Sequence, residues 1–134
     1  NEILPPFVNL GTLGFNFGMQ GVQFTATSTT AENQMLSNSM YVHSIPNNND
    51  NQDVVSMGTN AAVITGKVIE NAYEVLAIEL ITIVQAIDAL GYKDTISSTT
   101  KKMYDEVRII IPKFEEDQIM YPFVQKVKEY LMSN

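Results

Sequence analysis

The side chains best suited to chemistry crowd into one polar stretch, Ser44 to Gly58, which carries Asn47, Asn48, Asn49, Asp50, Asn51, Gln52 and Asp53. Asn and Asp favour turns, because their side chains bond nearby backbone and they tolerate left-handed dihedrals. A surface loop over 44–58 is therefore the first expectation. Gln52 and Asn51 can also donate and accept hydrogen bonds at once while staying uncharged. At the mouth of a helix bundle such groups suit recognition of a small polar ligand. Calcium fits poorly: Gly58 comes too late after Asp50 and Asp53, and no Glu follows at the position an EF-hand loop requires. His43 is the lone histidine, so no His/Cys metal spacing and no nucleophile–base pair can be drawn, and the expectation is no metal. Glu115, Glu116 and Asp117 read as a solvated acidic run near a helix start, where negative charge is favourable.

Composition sets further bounds. The chain of 134 residues is 45% hydrophobic, which points to one globular domain or a piece of a larger one. A net charge of −7 repels phosphate backbones, so nucleic acid is not an expected partner. With no cysteine there is no disulfide framework. The opening Asn1-Glu2-Ile3-Leu4-Pro5-Pro6 has neither a basic region nor a long apolar run, and a cytoplasmic location with no membrane partner is the expectation. The first residue is not Met, which suits a trimmed chain or a fragment.

Four segments must position the polar stretch. Residues 1–17, with Pro5, Pro6, Gly11 and Gly14 between Phe7, Phe15 and Phe17, read as an irregular, aromatic-anchored lead-in. Residues 18–40 carry two signals. Val22, Phe24 and Ala26 alternate with polar residues as a strand would, whereas Ala31 to Leu36 looks helical and no turn separates the halves. The preferred reading is helix. Thr95 to Ile111 is amphipathic, with Ser97, Ser98 or Thr99 as its cap, Met103, Val107 and Ile110 facing inward, and Pro112 as its end. Asp117 to Leu131 reads as a last helical segment interrupted near Pro122.

The clearest segment is Gly58 to Leu90. Val68, Ile69, Ala72, Tyr73, Leu76, Ile83, Val84 and Ile87 recur with helical period, and Val75, Ile78, Leu80 and Ile81 widen the apolar face almost all the way round. Glu74, Glu79, Gln85 and Asp88 interrupt it, which excludes a membrane span. Gly91 supplies a stop. As one helix it is roughly 50 Å long at about 1.5 Å per residue. A compact domain of this length has a radius of gyration of about 14 Å and a diameter near ~36 Å. The helix is thus expected to overhang its domain and to be covered by partner chains or by missing chain. The fold class expected is all-α, with long antiparallel helices in a helical bundle.

Three stretches carry a family resemblance. Ser44-Ile45-Pro46 followed by Asn51-Gln52-Asp53-Val54-Val55-Ser56-Met57-Gly58 resembles the signature loop of the aromatic amino-acid ammonia-lyases, the superfamily of histidine, phenylalanine and tyrosine ammonia-lyases and the related aminomutases. Phe15-Asn16-Phe17-Gly18-Met19-Gln20-Gly21 is similar to the family's glycine-centred approach to a core helix, and Val107-Arg108, Ile111-Pro112, Asp117 and Pro122 resemble its C-terminal tail. The resemblance covers residues 1–134 but only the C-terminal part of such an enzyme.

The resemblance implies a carbon–nitrogen lyase whose complete form eliminates ammonia from an aromatic L-amino acid, or an aminomutase. Its electrophile would be a methylidene-imidazolone formed from an Ala-Ser-Gly triplet. No such triplet occurs here, so the cofactor is expected in a missing N-terminal part, and this chain alone is expected to be inactive. Histidine lyases read Asn-Gln-Glu-Asp-His-Val-Ser-Met-Gly in the loop, which puts Glu at Gln52 and His at Val54. Phenylalanine and tyrosine lyases and aminomutases read Asn-Gln-Asp-Val, which matches Asn51 to Val54. By the same resemblance Gln52 and Asn51 bind substrate, and Gln20 and Phe24 approach its side chain. Phenylalanine lyases often carry a basic residue where Gln20 stands, so the substrate stays open. The implied partners are further copies in a homotetramer or a separately encoded N-terminal chain, as in a split enzyme. The alternative is a stand-alone, non-catalytic helical oligomerisation or binding protein.

Overall fold

A computed structural model describes residues 3–40, 45–49, 51–52 and 55–134. Among these residues a short 3₁₀ turn, Pro6–Val8, precedes four α-helices: α1 Gln20–Met35, α2 Gly58–Leu90, α3 Ser98–Ile110 and α4 Tyr121–Ser133. The all-α expectation is met.

α2 has the bounds its periodicity predicts. Gly91 closes it at φ 65°, with its N–H on the Asp88 carbonyl and the Tyr92 N–H on the Ile87 carbonyl, so two otherwise orphaned carbonyls are satisfied. α3 starts where a local signal puts it: the Ser97 hydroxyl accepts from the Thr100 N–H at 3.2 Å. It runs over Ser98–Ile110, slightly shorter than expected, and turns extended at Ile111 before Pro112.

Two further helices, α1 and α4, differ from expectation at their bounds. α1 is shorter than 18–40. Gly18 sits at φ 57°, a left-handed conformation that excludes it from the helix. At the other end the side chains of Ser37 and Asn38 turn back onto the Gln34 and Met35 carbonyls. The strand-like threonines are accommodated because Thr27 and Thr30 face solvent and bond the carbonyls four residues back. α4 begins at Tyr121 rather than Asp117, and Pro122 lies in its first turn, where a missing N–H costs nothing; the proline opens the helix instead of interrupting it.

α1 and α2 run antiparallel. Thr29 donates to Glu74, and Asn33 to the Val68 carbonyl, while the buried Asn71 amide donates to both Glu32 and Asn33. α3 also opposes α2, with Tyr104 on Asp88 and Arg108 on Gln85. The core forms around the C-terminal half of α2, where Ile81, Val84, Val107, Ile111 and Val127 lose all contact with water. Burying each such side chain stabilises the fold by about 1.5–3 kcal/mol. Of the apolar ring on α2, Ile78, Leu80 and Ile81 are covered by this chain itself, whereas Leu76 and Ile83 stay about half exposed. No residue between Gly58 and Glu70 is buried, so the helix does overhang. Among the described residues no helix is long and apolar enough to cross a membrane.

Candidate functional site

The polar stretch folds locally as a tight hairpin. Asn47 and Gln52 pair antiparallel, with N–H to carbonyl distances of 2.9 Å and 3.3 Å. Asn48 and Asn49 turn the chain at φ 54° and 55°, a left-handed pair that asparagine tolerates better than most residues. Asn51 and Gln52 are exposed. Their neighbours Asp50, Asp53 and Val54, and His43 and Ser44, lie outside the described residues, and with them the expectations that fall on those positions.

The other two candidate residues meet. Gln20 and Phe24, one turn apart on α1, line a single cleft of about 590 Å³. Phe17, Phe114 and Tyr121 make its walls aromatic, and Glu74, Asp117 and Gln125 add polar atoms. Phe24 keeps 68% of its surface exposed, so the cleft is open on that side. Asn51 and Gln52 are not among its lining residues. The described fold therefore unites Gln20 with Phe24 and leaves the hairpin separate from them.

Asp117 departs from expectation. It is exposed, yet it is not a free member of a solvated run. The Phe17 N–H lies 3.0 Å from both of its carboxylate oxygens, and the Gly18 N–H donates to Oδ1 at 3.1 Å. Its own N–H donates to Asn16 Oδ1 at 3.0 Å. Consecutive N–H groups beside a left-handed glycine form a concave anion cradle, and here the chain's own carboxylate fills it.

Behind the cleft lies a buried polar network. Gln85, with no exposed surface, donates from Nε2 to the Phe114 carbonyl at 2.6 Å. Arg108 donates to Gln85 Oε1 at 3.0 Å and to the Ile111 carbonyl at 3.1 Å. Its Nη2 also lies 2.6 Å from Asp88 Oδ2, an ion pair not aligned as a hydrogen bond, and Tyr104 donates its hydroxyl to the other Asp88 oxygen. The Arg108 and Lys93 side chains flank the Tyr104 ring at 5.7 Å and 5.3 Å. Burial, together with the bond to Asp88, pushes the Tyr104 pKa above the usual tyrosine value. The bond to Glu106, and then burial, does the same to Tyr130. Local sequence pattern places Arg108 only within a motif and gives Gln85 and Asp88 no role. The available signal was their position: polar residues set among the apolar residues of α2, opposite an arginine next to Val107.

The family described as aromatic amino acid lyase matches residues 1–109. The chain is 41% identical over its whole length to histidine ammonia-lyase 1 of Fusobacterium nucleatum, of which it covers 26%. It is 36% identical over 96% of its length to the MIO-dependent tyrosine 2,3-aminomutase of Streptomyces globisporus, covering 24% of that protein. Among solved structures, it superposes on the tyrosine aminomutase of Streptomyces globisporus with a TM-score of 0.92 at 35% identity, over 97% of this chain and 24% of that one. On the phenylalanine aminomutase of Pantoea agglomerans the TM-score is 0.90 at 30% identity, over 96% of this chain and 25% of that one. The chain thus spans about a quarter of the length of the curated relatives it matches. By sequence along its length and by fold throughout, it belongs to the aromatic amino acid lyase family.

Proposed function

We propose that this chain is the C-terminal segment, or a split subunit, of an aromatic amino-acid ammonia-lyase or aminomutase, and that it forms the substrate side of the complete enzyme. The observation that carries the reading is the near-complete superposition on the Streptomyces tyrosine aminomutase. The complete enzyme acts on an aromatic L-amino acid at a methylidene-imidazolone. Without an Ala-Ser-Gly triplet, this chain contributes no atom of that group. It contributes neutral amides at Gln52 and Asn51, the side chains of Gln20 and Phe24, and apolar surface on α2 at Val63, Ile69, Leu76 and Ile83 that further copies cover in a homotetramer.

Gln52 sets the substrate class. An amide turns either end to a ligand and carries no charge, whereas a carboxylate only accepts. Gln52→Glu puts a negative charge beside a phenyl or phenol ring that has no cation to pair with it. Beside an imidazolium the same charge forms a charge-assisted bond. In the full-length enzyme, followed by the ultraviolet absorbance of the arylacrylate, Gln52→Glu is expected to shift kcat/KM from tyrosine and phenylalanine toward histidine by about tenfold, or roughly 1.4 kcal/mol. A ratio that stays put or moves toward tyrosine refutes the assignment. Absence of turnover on all three amino acids refutes the family activity for this protein.

A further inference from the structure

The lead-in to α1 is fastened to a segment a hundred residues away by the Asp117 carboxylate and by the Asp117 N–H, which donates to Asn16 Oδ1 at 3.0 Å. Phe17 and Gly18 donate their N–H groups to Asp117, and the next residues begin α1: Met19 donates to the Phe7 carbonyl at 2.9 Å and Gln20 to the Phe17 carbonyl at 3.2 Å. The lead-in is braced from behind. Buried Asn9 donates to the Asn16 carbonyl at 2.7 Å and accepts from the Gly11 N–H at 2.9 Å. A Cβ on Gly11 would collide with the Glu115 carbonyl, and one on Gly18 would come within 2.8 Å of the Phe7 carbonyl and Asn9. Backbone thus meets backbone with no slack at Gly11 against Glu115 and at Gly18 against Phe7 and Asn9. The segment carrying Asp117 is itself tied to the core, because Gln85 holds the Phe114 carbonyl and Arg108 the Ile111 carbonyl. A rigid path runs from the core through 111–117 to the start of α1, and Gln20 and Phe24 lie in the first two turns beyond it, in the cleft that Asp117 also lines. A negative charge beside the start of a helix is favourable as well.

We propose that Asp117 is a positioning residue: by holding the Phe17 and Gly18 N–H groups it sets where α1 begins, and so where Gln20 and Phe24 stand toward the substrate side chain. This rests on the reading above that Gln20 and Phe24 approach the substrate. Displacement of a positioning group by an ångström can cost about a hundredfold in rate. A looser helix start is a milder fault, and because Gln20 and Phe24 would touch a non-reacting part of the substrate, it falls on binding.

The experiment uses the full-length protein with whichever of L-histidine, L-tyrosine and L-phenylalanine the wild type converts. Asp117→Asn keeps one oxygen for the two N–H groups and is expected to raise KM roughly threefold, and Asp117→Ala about tenfold, with kcat within about twofold in both. Glu115→Gln, which removes the same charge from a side chain whose only partner among the described residues is Lys113 at 3.2 Å, is expected to leave KM unchanged. In a Gln20→Ala/Phe24→Ala background Asp117→Ala is expected to add no further rise, because the groups it acts through are gone. A structural role alone lowers thermal stability or the active fraction and leaves KM where it was; that result, or a full additional rise in the double-alanine background, overturns the proposal. The two failures are distinct. A wild type that converts none of the three amino acids overturns the family activity and this inference with it. An active wild type with unmoved KM in the Asp117 variants overturns this inference alone.

Discussion

Asp88 and Arg108 form a largely buried ion pair between α2 and α3, and their coupling is measurable. Their side chains are only 13% and 11% exposed, so removal of one strands the other in a poorly solvated place, which costs about 3–5 kcal/mol. Asp88→Asn keeps an oxygen for Tyr104 and leaves Arg108 its bonds to Gln85 and the Ile111 carbonyl, which puts it near the low end, about 3 kcal/mol. Arg108→Met strands the carboxylate and frees Gln85 Oε1 and the Ile111 carbonyl, for about 4 kcal/mol. In the double variant no charge is stranded. The remaining cost is the two unpaired acceptors, at the low end of about 1 kcal/mol each, in total about 2 kcal/mol rather than the sum of about 7. The expected coupling is therefore about 5 kcal/mol. Urea unfolding followed by far-ultraviolet circular dichroism, at constant m, reads it; with m of about 1–3 kcal/mol/M, each single variant lowers the midpoint by one to several molar units. Because the pair is buried, 0.5 M salt should leave the coupling nearly intact, where a surface pair would lose it. Single-variant costs that add within about 0.5 kcal/mol refute the reasoning, since residues in one network should not act independently.

Ser97→Ala removes the α3 cap and is expected to lower stability by about 1 kcal/mol, with Ser97→Gly milder, in the same urea assay. Tyr104 and Tyr130 keep their protons to higher pH folded than unfolded, so stability should be level below about pH 10 and fall as pH rises from there through the folded values; midpoints measured between pH 8 and 11 should flatten in a Tyr104→Phe/Tyr130→Phe variant, and an unchanged slope contradicts the assignment. Asn48→Val puts a β-branched residue at φ 54° and should cost about 1–2 kcal/mol in the hairpin, whereas Asn48→Gly is nearly neutral, a difference to be read from amide exchange at Asn47 and Gln52. Incubated alone with L-histidine, L-tyrosine and L-phenylalanine, the 134-residue chain should give no absorbing product above a boiled control, since it lacks the Ala-Ser-Gly triplet.

What the sequence by itself determined is what neighbouring residues decide. α2 is legible from Gly58 to Leu90 because its apolar period and its Gly91 stop are both local, and the α3 cap is legible to within Ser97, Ser98 or Thr99, of which the fold uses Ser97. The four asparagines of the 44–58 stretch announce a turn, and Asn48 and Asn49 take left-handed dihedrals as such residues can. The resemblance carried by Gln52, Gln20 and their flanking residues pointed to the family in advance. The tertiary structure decided what depends on partners far away in the chain. Gly18 leaves the helix, and α1 starts at Gln20, where the Asp117 carboxylate holds the backbone across a hundred residues, so no local pattern could place that boundary. Asp117 looked like one of three solvated acids because its composition and charge match Glu115 and Glu116, and only its bonds differ. Gln85 and Asp88 read as interruptions of an apolar face until α3 brought Arg108 and Tyr104 against them. A buried polar group is stable only when it is paired, and pairing is a property of the folded chain rather than of its order.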